Sequence, residues 1–129
     1  MKRGLVEMNN HDVLSYLDMR GVKDKEYKEF VFNVGKYQKL YKLCSVHDFD
    51  FVISHFLGNS DRMGYGVIPT NRVLKLDGSN TLVIALIEGD DVICIDVSKG
   101  EIFIWMIQTG AGEYVPLADS FKDFQEKYL

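Results

Sequence analysis

Between Thr81 and Gln108 the chain reads TLVIALIEGDDVICIDVSKGEIFIWMIQ, three apolar runs parted by EGDD and SKGE. Val, Ile, Phe and Trp fill the runs, and Gly and Asp fill the gaps. That composition favours pleated strands joined by tight turns, so the segment predicts an antiparallel three-strand meander. Two-residue loops at Gly89-Asp90 and Lys99-Gly100 would set its register. Ile87 then pairs with Val92, Leu86 with Ile93 and Ala85 with Cys94. In the second hairpin Ile95 pairs with Ile104, Asp96 with Phe103 and Cys94 with Trp105.

Side chains alternate along a strand, so this register sorts them onto two faces. Leu82, Ile84, Leu86, Ile93, Ile95, Val97, Ile102, Ile104 and Met106 form a continuous aliphatic surface, which helices must shield from water. The other face holds Val83, Ala85, Ile87, Val92, Cys94, Asp96, Phe103, Trp105 and Ile107. An ionised Asp96 needs a donor or water there. Two readings stay open for this face: a second packed layer, or a surface that meets a partner.

A chain of 129 residues, 47% hydrophobic, suffices for one core, and residues 1–129 read as a single domain. The net charge of −4 argues against general affinity for nucleic-acid phosphate or an anionic membrane surface. The start, MKRGLVEMNNHD, has no apolar run of signal-peptide length, and no stretch is long and apolar enough to span a bilayer. A cytoplasmic location is expected. Cys44 and Cys94 lack CxxC spacing and read as buried, reduced thiols.

Along the chain, Met1 to Asn10 read as loosely held, and Asn10 as the cap of a helix from His11 to about Arg20, ended by Gly21. Asp24 caps a second helix with Tyr27, Phe30, Val31 and Val34 on one stripe, stopped at Gly35. Leu40 to Leu43 suggest a short strand. Ser45-Val46-His47-Asp48 has capping-box spacing and predicts a third helix running to Leu57, with His47 and His55 two turns apart on it. Tyr65 to Leu76 read as one or two strands, with Pro69 at an edge or a strand end. After a flexible Thr109–Gly112 loop, Glu113 to Leu117 suggest a strand. Asp119 or Ser120 caps a closing helix, Ser120 with Asp123 repeating the capping spacing, and Phe121, Phe124 and Tyr128 share a face of it.

The chain offers no clear catalytic pattern. Ser120 is explained by capping, and Cys94 lies among aliphatic residues, where a thiol is inert. His47 and His55, eight residues apart on a helix, are too distant to share a metal. Glu88, Asp90 and Asp91 cluster around Gly89 without the spacing of a calcium loop and read as hairpin residues. GNSDRMGYG lacks the phosphate-loop pattern. No catalytic residue, metal ligand or cofactor site is assigned. A deep pocket with convergent polar groups of shifted pKa would instead speak for an enzyme.

The order of three segments carries further information: GYGVIPTNRVLKL, then EGDDVICIDVSKGEIFIW, then VPLADSFKDFQEKYL. It resembles the SUKH superfamily, in which a Gly/Asp turn leads to an apolar strand ending in Asp. A Gly turn, an aromatic strand and a helix opening on Ser-Phe follow. Here these features are Gly89-Asp90-Asp91, Val92 to Asp96, Gly100, Phe103 with Trp105, and Ser120-Phe121 with Phe124. The resemblance weakens toward the N-terminus, where Val22 to Tyr27 lacks the family's proline and Val34 separates Asn33 from Gly35.

The resemblance implies a non-enzymatic α+β domain. Its sheet, mainly antiparallel and centred on the 81–108 meander, would be packed by N-terminal helices and a closing C-terminal helix. Superfamily members include bacterial immunity proteins, which neutralise toxins by stoichiometric binding, and fungal cell-wall-synthesis regulators. A toxin with a basic cleft, such as a nuclease, would complement the acidic charge. The alternative is a regulatory scaffold that binds an endogenous protein. The partner-binding candidates are Glu88, Asp90, Asp91, Asp96 and Trp105, since an aromatic anchor beside carboxylates suits a basic protein. Packing in the core is the competing role for Trp105.

Overall fold

The structure, a computed structural model, describes residues 8–108 and 112–129. The expectations for Met1–Glu7 and Thr109–Ala111 lie outside the described residues. Six strands pair antiparallel in chain order: β1 (Lys42–Val46), β2 (Phe49–Phe56), β3 (Thr81–Ile87), β4 (Val92–Asp96), β5 (Ile102–Met106) and β6 (Glu113–Ala118). Helices α1 (Asn10–Met19) and α2 (Lys25–Phe30) precede the sheet, α3 (Val67–Val73) lies between β2 and β3, and α4 (Phe121–Tyr128) closes the fold. The expected α+β class with a β3–β5 meander is therefore present.

Ile93, Ile95, Ile102 and Ile104 share one face, each exposed by 1% or less. That face continues through Ala85 to Phe56 in β2. Phe56 meets Phe30 of α2 and Phe124 of α4 at ring-centroid distances of 5.0 and 6.0 Å. Phe121 packs against Tyr27 and Phe30, so α2 and α4 join in one aromatic layer over the aliphatic strands. Asp24 anchors both helices. Its Oδ1 accepts from Tyr27 N in α2 at 3.0 Å and its Oδ2 from Phe121 N in α4 at 3.2 Å. Ser120 caps α4 through Asp123 N as expected, whereas α1 is capped by Asn9, not Asn10.

Two elements differ in type from expectation, and α2 ends at Phe30 rather than running on to Gly35. The segment read as a helix from Ser45 to Leu57 is the β1–β2 hairpin, whose pair Val46↔Phe49 is joined by His47-Asp48. His47 adopts φ 52°, a left-handed turn conformation incompatible with helix. The two-residue alternation Phe49, Phe51, Ile53 outweighs the capping spacing, because Phe51 and Ile53 reach the core. His47 and His55 thus sit in a turn and a strand, not on a helix. The segment Tyr65 to Leu76, read as strands, contains α3. Pro69 lies in its first turn, where a missing N–H leaves no intrahelical bond unmade.

The meander also departs from the expected register. In the first hairpin Ile87 N donates to the Asp91 carbonyl, so three residues rather than two make the turn. A bulge between Val83 and Ala85 then shifts the register once more, so that Val83 pairs with Cys94 and Leu82 with Ile95, two residues from their expected partners but on the expected faces. Between bulge and turn the faces are exchanged: Ala85 pairs with Ile93 on the core side, while Leu86 pairs with Val92 on the other. In the second hairpin Asp96 N donates to Glu101 O, leaving four residues in the loop. Ile95 therefore pairs with Ile102 and Cys94 with Phe103. A two-residue slip preserves side-chain alternation, so the aliphatic face survives it.

Buried Asn71 of α3 completes the hydrogen bonding of β3 where β2 parts from it. Pairing between β2 and β3 ends at Phe56↔Ala85. Beyond it, the Asn71 amide accepts from Val83 N at 2.8 Å and donates to Val83 O at 3.0 Å. One side chain stands in for the next rung of the ladder.

Candidate protein-binding face

On the face opposite the isoleucines, the middle of the sheet is closed: Val83 and Cys94 are fully buried and Val92 and Phe103 nearly so. Burial pushes the Cys94 thiol well up, consistent with an inert packing group. Both cysteines are unpaired and buried. Toward β5 and β6 the same face opens. Strand pairing sets Trp105 beside Tyr114 and Phe103 beside Pro116, which lies on the edge strand, where its missing N–H costs no rung. Tyr114 stacks on Trp105 at 6.3 Å between centroids and meets Phe103 edge-on at 5.1 Å. Tyr114 is nevertheless 58% exposed.

At one end of these rings a shallow depression of about 340 Å³ is lined by Thr81, Asp96, Glu101, Phe103, Tyr114 and Pro116. Asp96 stands at the last position of β4. Its Oδ1 accepts from Ser98 N at 2.9 Å, Ser98 Oγ at 2.7 Å and Lys99 N at 3.1 Å. These are the donors that the carboxylate required. They also account for the longer loop, which begins at Asp96 because its side chain takes up the loop N–H groups. Burial works to raise the Asp96 pKa, but these hydrogen bonds and the Lys99 charge outweigh it and hold the carboxyl below its ordinary value. Oδ2 of Asp96 and both Glu101 carboxylate oxygens have no hydrogen bond or ion pair among the described residues.

The five partner-binding candidates fall into three settings. Glu88 and Asp90 are exposed at the β3–β4 tip, where Gly89 (φ 95°) and Asp90 (φ 68°) make the turn. Asp91 turns inward: it is 5% exposed, and its Oδ1 accepts from Gln108 N at 2.9 Å, tying the tip to the end of the meander. Trp105, half-buried, lies across from Val92 near the tip, whereas Asp96 ends β4 about 13 Å away along the strand. Carboxylates thus bracket a strip of aromatic rings at both ends.

The strip includes Phe103, Tyr114, Pro116 and Glu101, none of them among the sequence candidates. The register Trp105↔Tyr114 joins segments separated by a glycine-rich stretch, and only strand order reveals it. Alternation within Glu113–Leu117 was the available sign that Tyr114 and Pro116 share a side.

A helix-backed antiparallel sheet with α2 and α4 on one face, and aromatic rings with carboxylates on the other, defines an α+β protein with an open sheet surface. Residues 24–127 match the model of the SMI1 / KNR4 family (SUKH-1), and the chain belongs to that family. Its members generally bind other proteins rather than catalyse reactions. No curated protein and no solved structure matches the chain. No helix among the described residues is long and apolar enough to cross a membrane.

Proposed function

We propose that the chain is a cytoplasmic bacterial immunity protein, one domain over residues 1–129. It binds a cognate polymorphic toxin stoichiometrically and blocks it. The observation that carries this reading is the aromatic pair Trp105 and Tyr114, backed by buried Phe103 and bracketed by Glu88 and Asp90 at one end and Asp96 and Glu101 at the other. Rings on a rigid sheet present contact area at small entropic cost, and flanking carboxylates favour a basic partner such as a nuclease cleft.

Six described groups have displaced pKa values. Tyr16 is pushed up to about 12, first by burial and then by its hydrogen bond to Asp77. Tyr27, Cys44, Cys94 and Tyr128 are also raised, chiefly by burial, and Asp96 is lowered. Each of these shifts leads away from neutrality, so none of these six groups is poised for general acid–base work.

Co-expression with the product of the adjacent toxin gene tests the reading. Growth should be restored, and the two proteins should co-elute at equal stoichiometry. Undiminished growth arrest would remove the toxin assignment and leave regulation of an endogenous protein as the function to pursue.

A further inference from the structure

We infer that the depression between Asp96, Glu101, Phe103 and Tyr114 is a receptor for a single arginine side chain presented by the partner protein. The inference rests on the protein-binding reading above and adds the chemistry of the contact.

Four features fit a guanidinium. Glu101 and Oδ2 of Asp96 supply carboxylate oxygens that are unused among the described residues. Asp96 is held in place by its three bonds at Oδ1, so its second oxygen is presented without further ordering. Tyr114 offers an exposed ring beside Phe103 and Pro116, and a planar cation stacks on such surfaces while its N–H groups reach neighbouring carboxylates. A depression of about 340 Å³ admits one side chain, not a folded element. Lys99 flanks the site and offsets part of the negative field, so charge alone does not make the attraction; ring stacking and hydrogen-bond geometry add the discrimination. A lysine ammonium would gain less, because it lacks a planar face to lay on Tyr114.

The test is an NMR titration of the isotope-labelled full chain, at low salt, with the blocked tripeptide Gly-Arg-Gly. A second arm replaces arginine by citrulline, which keeps the shape and loses the charge. Saturable shifts are expected at the amides of Glu101, Phe103 and Tyr114 with millimolar affinity. Citrulline should bind roughly tenfold more weakly, and binding should fall similarly in Glu101→Gln and in Tyr114→Ala. Both positions are solvent-accessible, so the variants should keep the wild-type amide spectrum elsewhere.

Equal shifts with citrulline, shifts confined to another surface, or no saturation would overturn the proposal. Tripeptide binding without protection from the toxin would retain the arginine site and reject the immunity assignment. Protection that persists in both variants, with no tripeptide binding, would do the reverse.

Discussion

Asn71 has no exposed surface and no charge, yet it completes the hydrogen bonding of a strand it does not belong to. Asn71→Leu keeps the volume and removes both bonds, leaving the Val83 N–H and carbonyl buried without partners. The expected loss is about 1–3 kcal/mol for each orphaned group, read from urea denaturation midpoints at unchanged m-value. Asp96 makes a prediction in pH. Its folded pKa lies below the ordinary 3.8. Its contribution to stability is therefore present above that value and lost as pH falls through the lower, folded one. The stability gap between wild type and Asp96→Asn should be widest above pH 3.8 and close on further acidification, as followed by thermal melts across an acid series. At this scale the sequence was informative about need but not about supply. An ionised Asp96 visibly requires donors, but a two-residue loop at Lys99-Gly100 makes Ser98 a strand end and Lys99 a turn residue, so neither is marked as the supplier. Nothing in the spacing of Asn71 and Val83 announces their pairing, which arises where β2 parts from β3.

The elements divide by how one-sided their local signals were. The β3–β5 meander, the Ser120 cap and the Phe121, Phe124, Tyr128 stripe of α4 were legible because propensity, alternation and turn residues agreed. Phe124, with no exposed surface, should cost about 3–5 kcal/mol when changed to alanine, measurable as a large drop in midpoint. The β1–β2 hairpin and α3 were misread where signals conflicted. Ser45 to Asp48 has the spacing of a cap, but Phe49, Phe51 and Ile53 alternate. Pro69 suggested a strand end, though it fits the first turn of a helix equally well. Bulges at Ser54 and at Ile84 break the two-residue period, so Ala85 and Leu86 face the sides opposite to those that unbroken alternation predicts. Asp24 belongs to this scale because it serves two helices. Asp24→Ala should cost about 1–2 kcal/mol, and more than Ser120→Ala, which removes one cap from α4 alone. Thermal denaturation of the two variants compares them directly.

As a whole the molecule places its helices α2 and α4 on one side of the sheet and leaves aromatic rings with the Asp96 and Glu101 carboxylates on the other, near the β6 edge. With a net charge of −4, association with a basic partner should be steered from a distance. Raising sodium chloride from about 50 to about 500 mM should therefore slow the on-rate by roughly tenfold. The off-rate should change far less, and stopped-flow mixing separates the two. The bond from Asp24 to Phe121 N, spanning 97 positions of sequence, has a bearing on biosynthesis. During translation α2 emerges early with its own cap already at hand, but the second oxygen of that carboxylate must wait for nearly the whole sheet to leave the ribosome before Phe121 N can reach it. Until then the aromatic layer beneath α2 and α4 lies open to water and to other nascent chains, and this is the interval in which a chaperone would find its target.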